Sequence, residues 1–364
     1  MKIYIIHKSK LTFIPPVISE IKLLSELGYE VTVIDEGITD YWKKYFDEIG
    51  VNYVEILPNN MNLFMKAYSY LNFRKKVFCY LKSHNVDKST SILWIEGAQT
   101  IFALGAKLLK YRFVLQISEL HEEIKYQFKA TQKVVHDAKV VVLPEYNRAL
   151  IFQAMHKIKK KPIILPNKPY FIPSQDELAK SASEYKEYCD YFTSNKVILY
   201  QGIINDERNL TSFVKAVKSF QGEYKLVLMG KDCGLVERYK KIDPSIVHIS
   251  FIPAPHYLIM TSLCHIGIVM YKPECLNTIY CAPNKTFEYA SFGKPMLGND
   301  IPGLKVIDDN KMGSTVDESC ETNIVEAIKW IEQNYSQCSS NSKKYFENTD
   351  NKEVIKRIID IASI

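Results

Sequence analysis

No run of 18 or more apolar residues occurs in the 364-residue chain, so a transmembrane helix is not expected. The start, Met1 to Ile6, reads as a first β-strand and lacks the apolar core and small-residue cleavage site of a signal peptide. The eight cysteines form no Cys-x-x-Cys pair and no zinc-type spacing, so they read as free thiols of a reducing, cytoplasmic compartment. Glycine is sparse, at 14 residues, and no Gly-x-Gly-x-x-Gly follows a strand, which argues against a dinucleotide oxidoreductase. No Asp-x-Asp motif offers a metal site, and neither a short repeat nor a low-complexity tract is visible.

What is present is a composition 47% apolar and 24% charged, over a length that fits two domains. The net charge of +6 is uneven: through Tyr170 there are 25 basic and 16 acidic residues, and beyond it 22 and 25. A basic first half suits an anionic partner, although ordinary surface charge explains it equally well.

Short β-branched and aromatic runs alternate with helical patterns, the mark of βαβ units and parallel sheets. Strands are predicted at 2–7, 30–35, 52–56, 91–94, 113–117, 140–143 and 162–165, with helices at 16–27, 63–82 and 100–109 among them. Pro166, Pro169 and Pro173 interrupt the pattern, and a polar helix is predicted at 176–192. A second series follows at 196–200, 224–229, 247–251, 266–270, 295–297 and 313–315, then helices at 324–334 and 352–362. The expectation is an α/β chain of two doubly wound domains: 1–168, a linker with helix at 169–194, a second domain at 195–345, and a C-terminal helix at 346–364 that packs back on the first. Such sheets bind ligands beyond the carboxyl ends of their strands, at the point where strand order reverses.

Pro283 and Asn284 read as a helix start, and Gly293 as its stop. The N–H groups at such a start, with Thr286 in the first turn, suit a diphosphate. Glu288, one turn on, can accept two hydroxyls of a ribose, and Lys285 can stand beside phosphate. A capped surface helix with ordinary charges fits the same residues. Arg208, at another helix start, can grip phosphate or lie in solvent.

Asn284, Lys285, Glu288 and Tyr289, then Gly293, Lys294 and Pro295, then Asn299 through Gly303, resemble the donor signature of glycosyltransferase family 4. The segment from Tyr200 to Leu210, with Gly202 and Arg208, agrees, as do Met229 and Gly230 and the run ending at Ile252. The resemblance implies a GT-B fold, two Rossmann-like domains facing across a cleft. It also implies hexosyl transfer from a UDP- or GDP-type sugar to an acceptor hydroxyl, with retained configuration. Glu288 would then bind the ribose, Arg208 and Lys285 the diphosphate, and Gly202, Met229, Gly230, Ile252, Pro283, Asn284 and Thr286 would line the donor site. No cofactor or metal is implied.

Three departures stand out. Tyr280 replaces the family's first glutamate, Ile203 its first cation, and His7 to Lys10 its N-terminal glycine loop. They leave open a sugar-nucleotide epimerase or a non-catalytic sugar-nucleotide-binding subunit.

In the first half, His121 follows a strand, and the resemblance places it near the donor sugar; a helix cap is the alternative. Glu96, Glu119 and Glu122 are acceptor-side candidates, although Glu96 serves equally as a helix N-terminal acid. The 63–82 helix, with Lys66, Arg74, Lys75, Lys76 and Lys82, and the Lys157 to Lys161 run could lie on an anionic membrane, at the inner face. A half-buried helix fits them too. The partners expected are a nucleotide sugar and a saccharide or lipid-linked acceptor, in surface polysaccharide or glycoconjugate synthesis, and no nucleic acid.

Overall fold

Thirteen strands form among the described residues: β1 (Lys2–His7), β2 (Glu30–Asp35), β3 (Asn52–Glu55), β4 (Ser91–Glu96), β5 (Phe113–Gln116), β6 (Val140–Leu143), β7 (Ile163–Ile164), β8 (Lys196–Gln201), β9 (Tyr224–Met229), β10 (Val247–Ile249), β11 (Ile266–Val269), β12 (Met296–Asn299) and β13 (Gly313–Val316). The structure, a computed structural model, describes residues 1–11, 14–57, 63–121, 123–170 and 172–364, and of residues 63–67 and 175 the backbone alone.

The chain divides into two units, Met1–Pro166 with Asp350–Ile364, and Asn167–Thr349. The first holds a parallel sheet in the order β3-β2-β1-β4-β5-β6-β7. The second holds a parallel sheet in the order β10-β9-β8-β11-β12-β13. Both are doubly wound. Strand order reverses between β1 and β4 in one and between β8 and β11 in the other, so each unit has a switch point where a ligand can reach strand ends.

The central strands are buried on both faces, which is why they read as continuous apolar runs such as Val-Ile-Leu-Tyr in β8. In the first unit Ile355, Ile358, Ile359 and Ala362 of the final helix, Asn351–Ser363, join Val17, Ile21, Ile5 and Trp94 in one core. Asn351 Nδ2 anchors the start of that helix on Pro166 O at 2.8 Å. Residues 169–194, read from sequence as a joint, carry the helices Gln175–Glu184 and Lys186–Thr193. These put Leu178, Cys189 and Phe192 into the second unit's core.

Several elements differ from the sequence reading. β4 runs two residues further, to Glu96. The helix expected at 100–109 is Ala98–Leu104 followed by a 3₁₀ segment, Gly105–Lys110, because Gly105 at φ 61° breaks the α-turn. The strand expected at 162–165 is only Ile163–Ile164, on the sheet edge. A helix at Tyr335–Asn348 was not foreseen; it is largely polar and buries Cys338 and Ser342.

Candidate active site

The switch point of the second sheet is built from backbone first. Gly202, just past β8, has φ 137° and donates its N–H to Met229 O at 2.8 Å. Gly230, just past β9, has φ 138°, and a Cβ there would lie 2.1 Å from Gly202 O. The two turns therefore touch backbone to backbone, which only glycine permits. His248 Nε2 adds a 2.8 Å contact to Gly230 O. Ile252, after β10, turns its side chain into the core, so it can offer a ligand only main chain.

The helix Asn284–Ser291 starts after Pro283, next to this turn. Its end is a Schellman motif: Gly293 N donates to Ala290 O and Lys294 N to Tyr289 O, both at 2.9 Å. The turn preceding the helix is packed from behind by Gly303, where a Cβ would meet Cys281 N at 2.4 Å. Asn167 Nδ2 holds Ala282 O at 2.8 Å. The helix N-terminus is thus fixed on two sides, with its first N–H groups and dipole available to an anion.

Two cations gather there. Arg208 ends the 3₁₀ turn Asp206–Arg208, and its guanidinium lies 5.0 Å from the Tyr271 ring centre. Lys285 Nζ lies 5.4 Å from the same ring and 5.3 Å from that of Tyr200. Tyr271 is itself clamped to Asn299, which accepts from Tyr271 N at 3.1 Å and donates to its carbonyl at 2.7 Å. No ion pair engages Lys285 or Arg208 among the described residues. Burial, and next the positive charge of Arg208, pull the Lys285 ammonium down to about 7. The charge of Glu288 opposes that shift, but the two cations still repel each other with no ion-pair partner among the described residues.

Polar atoms without partners mark the same spot. Arg208 Nε, Asn205 Oδ1 and Thr286 Oγ1 are buried and make no hydrogen bond in the structure. Such groups in a folded interior call for a missing partner.

Glu288 lies beneath, 5% exposed. Its Oε1 accepts from Tyr257 Oη at 2.6 Å and its Oε2 from Gln201 Nε2. Gln201 Oε1 in turn accepts from Thr261 Oγ1 at 2.7 Å. Burial lifts the Glu288 carboxyl above its ordinary range, opposed by Tyr257, Lys285 and Gln201. Each carboxylate oxygen keeps a further lone pair, so the group can still accept ligand hydroxyls. Gln201, Tyr257, Thr261 and Tyr271 were missed by sequence reasoning. Gln201 stood one residue before Gly202, where a strand-end position was the only available signal.

The structure thus brings together Gly202, Met229, Gly230, Arg208, Pro283, Asn284, Lys285, Thr286 and Glu288, all in the second unit. His121, Glu96 and Glu119 lie in the first. His121 Nε2 stands 3.8 Å from Glu119 Oε2. Glu96 is 1% exposed and accepts from Ser118 Oγ, not from a helix N-terminus. Burial, then the charge of buried Glu20, lift its carboxyl well above the ordinary range. Glu122 lies outside the described residues. No group of three or more metal-ligating side chains is clustered among the described residues.

No protein-family model matches the sequence, and neither does any curated protein. Solved structures match along its full length. A glycosyltransferase from Rickettsia africae is 16% identical with a TM-score of 0.65, covering 100% of this chain and 95% of that one. HepE of Anabaena, in complex with UDP-glucose, is 10% identical with a TM-score of 0.72, covering 99% and 98%. Sucrose-phosphate synthase from Thermosynechococcus elongatus is 12% identical with a TM-score of 0.66, covering 100% and 96%.

The chain has the GT-B fold.

In GT-B terms, Met1–Pro166 with the final helix is the N-terminal unit, and Asn167–Thr349 the C-terminal one. The two turns at Gly202 and Gly230 and the helix from Asn284 belong to the latter. Among the described residues no helix is long and apolar enough to cross a membrane. The helix Leu63–Ser83 buries Ser69, Phe73, Val77 and Leu81 and exposes Tyr68, Leu71, Lys75 and Lys76; the side chain of Lys66 is not described. Arg74 is occupied with Ala103 O and Phe102 O.

Proposed function

We propose that the protein is a glycosyltransferase that moves a sugar from a UDP- or GDP-type donor to an acceptor hydroxyl. One observation carries this reading. Arg208 and Lys285 converge at a helix N-terminus, beside a buried carboxylate, and neither forms an ion pair among the described residues. A nucleoside diphosphate supplies what is missing: two phosphates for the cations, Thr286 and the helix N–H groups, and a cis-diol for Glu288. HepE, of the same fold, is known in complex with UDP-glucose and with UDP.

Chemistry would follow from position and charge. As the sugar–phosphate bond breaks, negative charge grows on the diphosphate; fixed N–H dipoles, Arg208 and Lys285 stabilise it in place of a metal. Catalytic roles for Arg208 and Lys285 are therefore electrostatic. His121, with Glu119, is assigned to sugar hydroxyls rather than to proton transfer. Retention of configuration, hexosyl transfer and a place in surface polysaccharide or glycoconjugate synthesis belong to this reading by resemblance.

Contact with an anionic membrane is a further part of the proposal, supported by Tyr68 and Leu71 exposed beside Lys75 and Lys76. Pelleting with anionic liposomes at low salt tests it, and no pelleting removes it.

The test of transfer itself is UDP release from UDP-glucose and a panel of related donors, with and without saccharide acceptors. Release that requires an acceptor supports the transferase. Acceptor-independent release fits an epimerase, and binding without release fits a non-catalytic subunit.

A further inference from the structure

Two acids lie in the core of the first unit, and neither forms an ion pair among the described residues. Glu20, on helix Pro15–Glu26, is 3% exposed, and Glu96, at the end of β4, is 1% exposed. Gln116 stands opposite Glu96 in the β4–β5 register and joins the two acids. Its Oε1 accepts from Trp94 Nε1 at 2.6 Å, and its Nε2 donates to Glu20 Oε1 at 2.7 Å. The indole can only donate, so the amide must show Glu20 its N–H end. Glu96 Oε1 accepts from Ser118 Oγ. The Oε2 atoms of Glu20 and Glu96 are both buried without a hydrogen-bond partner.

A charged carboxylate in such a place has lost its water and gained a single hydrogen bond, which is costly. Burial, opposed by Gln116, lifts the Glu20 carboxyl to about 8. The surrounding charges do not offset this. Glu119 adds negative charge to Glu96. His7 Nδ1 lies 3.4 Å from the backbone carbonyl of Glu96, not from its carboxyl, and burial holds that imidazole down to about 4, so it is neutral. Lys8 is engaged by Glu36, and Arg148 donates to Ser118 O. The final helix shares the core with Val17 and Ile21 through Ile355, Ile358 and Ile359, and leaves Lys352, Lys356, Arg357 and Asp360 exposed.

Ser118 is where these acids meet the acceptor-side candidates. Its hydroxyl is on Glu96, its carbonyl on Arg148, and Glu119 and His121 follow it directly. Ser118 is half-buried and Glu119 exposed, so this segment separates Glu96 from water.

We propose that Glu20 and Glu96 are a proton-held acid pair that seats the segment Ser118–His121: at least one of them carries a proton while the segment is closed, and loss of that proton to solvent loosens it. Glu20 is then a positioning residue, acting on Glu119 and His121 through Glu96 and Ser118. The inference rests on the transferase reading only in calling Glu119 and His121 sugar-facing. The sign follows from Glu20, whose folded value of about 8 lies above the ordinary 4.5. The closed form holds the extra proton between those values, so closure is fully favoured below about pH 4.5 and weakens as pH rises to about 8.

Infrared difference spectra of the full chain, wild type against Glu20→Gln and Glu96→Gln, read the proton itself at about pH 6, where ordinary surface acids are ionised. The wild type should show the carbonyl stretch of a buried carboxylic acid, and each variant should weaken or shift it. Hydrogen exchange of residues 117–121 reads the segment. Exchange in the wild type, divided by that in the double variant Glu20→Gln/Glu96→Gln at the same pH, cancels the intrinsic pH dependence. This ratio should climb by about tenfold or more between about pH 5 and pH 8. If the double variant does not fold, exchange of β8 in the wild type serves as the reference. No acid band, a band that neither variant changes and that belongs to another buried acid such as Asp35, or a ratio that does not move with pH overturns the proposal. Neither measurement uses a nucleotide or a sugar, so such a failure leaves the transferase reading intact, and absent transfer activity leaves the acid pair standing.

Discussion

A Cβ on Gly202 would lie 2.6 Å from Lys285 Nζ. The bare backbone after β8 is what lets the ammonium sit over the strand end, between the rings of Tyr200 and Tyr271. Gly202→Ala should displace Lys285 and strain a residue at φ 137°. UDP affinity should fall by about tenfold or more, with a lower Tm, since such backbone strain costs about 1–3 kcal/mol. Calorimetry and thermal melting read both effects, and an alanine variant that binds UDP normally would show that Lys285 is not held for the nucleotide.

Lys285 gives a pH signature. Its ammonium is pulled down to about 7 in the empty protein. An arriving diphosphate favours the charged form, so binding takes up a proton above pH 7. Affinity for UDP should then fall as pH rises, by at most about tenfold per unit. The stability of the empty protein runs the other way. The folded value lies below the ordinary 10.5, so the unfolded chain holds the extra proton between the two. The penalty is full below about pH 7 and is relieved as pH rises toward 10.5. Lys285→Met should raise Tm at pH 7 and abolish the pH dependence of UDP binding. A methionine variant with unchanged pH dependence would mean that another group titrates.

Arg208→Ala removes the other cation. A charge-assisted contact to phosphate is worth roughly 1.5–3 kcal/mol, so UDP should bind about ten- to a hundredfold more weakly. Uridine, which lacks the diphosphate, should bind as before. Equal losses for uridine and UDP would point to collapse of the Tyr271 contact instead.

Glu288 separates the pentose from the phosphates. Glu288→Gln is expected to weaken UDP by about tenfold while leaving inorganic pyrophosphate within about twofold. If UDP binds the variant normally, Glu288 serves only to join Tyr257 and Gln201.

Ile358 tests the division of the chain. It is fully buried in the first unit's core. Ile358→Ala should cost about 2–5 kcal/mol. Because the proposed nucleotide groups all lie in Asn167–Thr349, UDP affinity should persist at temperatures where the variant is folded.

Parallel strands buried on both faces leave an unbroken apolar signal, which is why β1, β2, β6 and β9 were legible to the residue. The helix end at Gly293 was legible because a Schellman turn selects glycine. Helix Tyr335–Asn348 was not, since its buried face is made of small polar residues such as Ser342 rather than an apolar stripe. In the candidate site, charged residues near glycine turns could be picked out one by one. The network under Glu288 could not: Gln201 is 87 residues from Glu288 and 60 from Thr261, and only the sheet order brings them together.

The most direct test is a crystal structure with UDP bound. The account predicts the diphosphate at the N-terminus of helix Asn284–Ser291, within hydrogen-bond distance of Arg208, Lys285 and Thr286, with the ribose hydroxyls on Glu288. UDP bound away from the Gly202 turn, or bound there with Glu288 still engaged only by Tyr257 and Gln201, would contradict it.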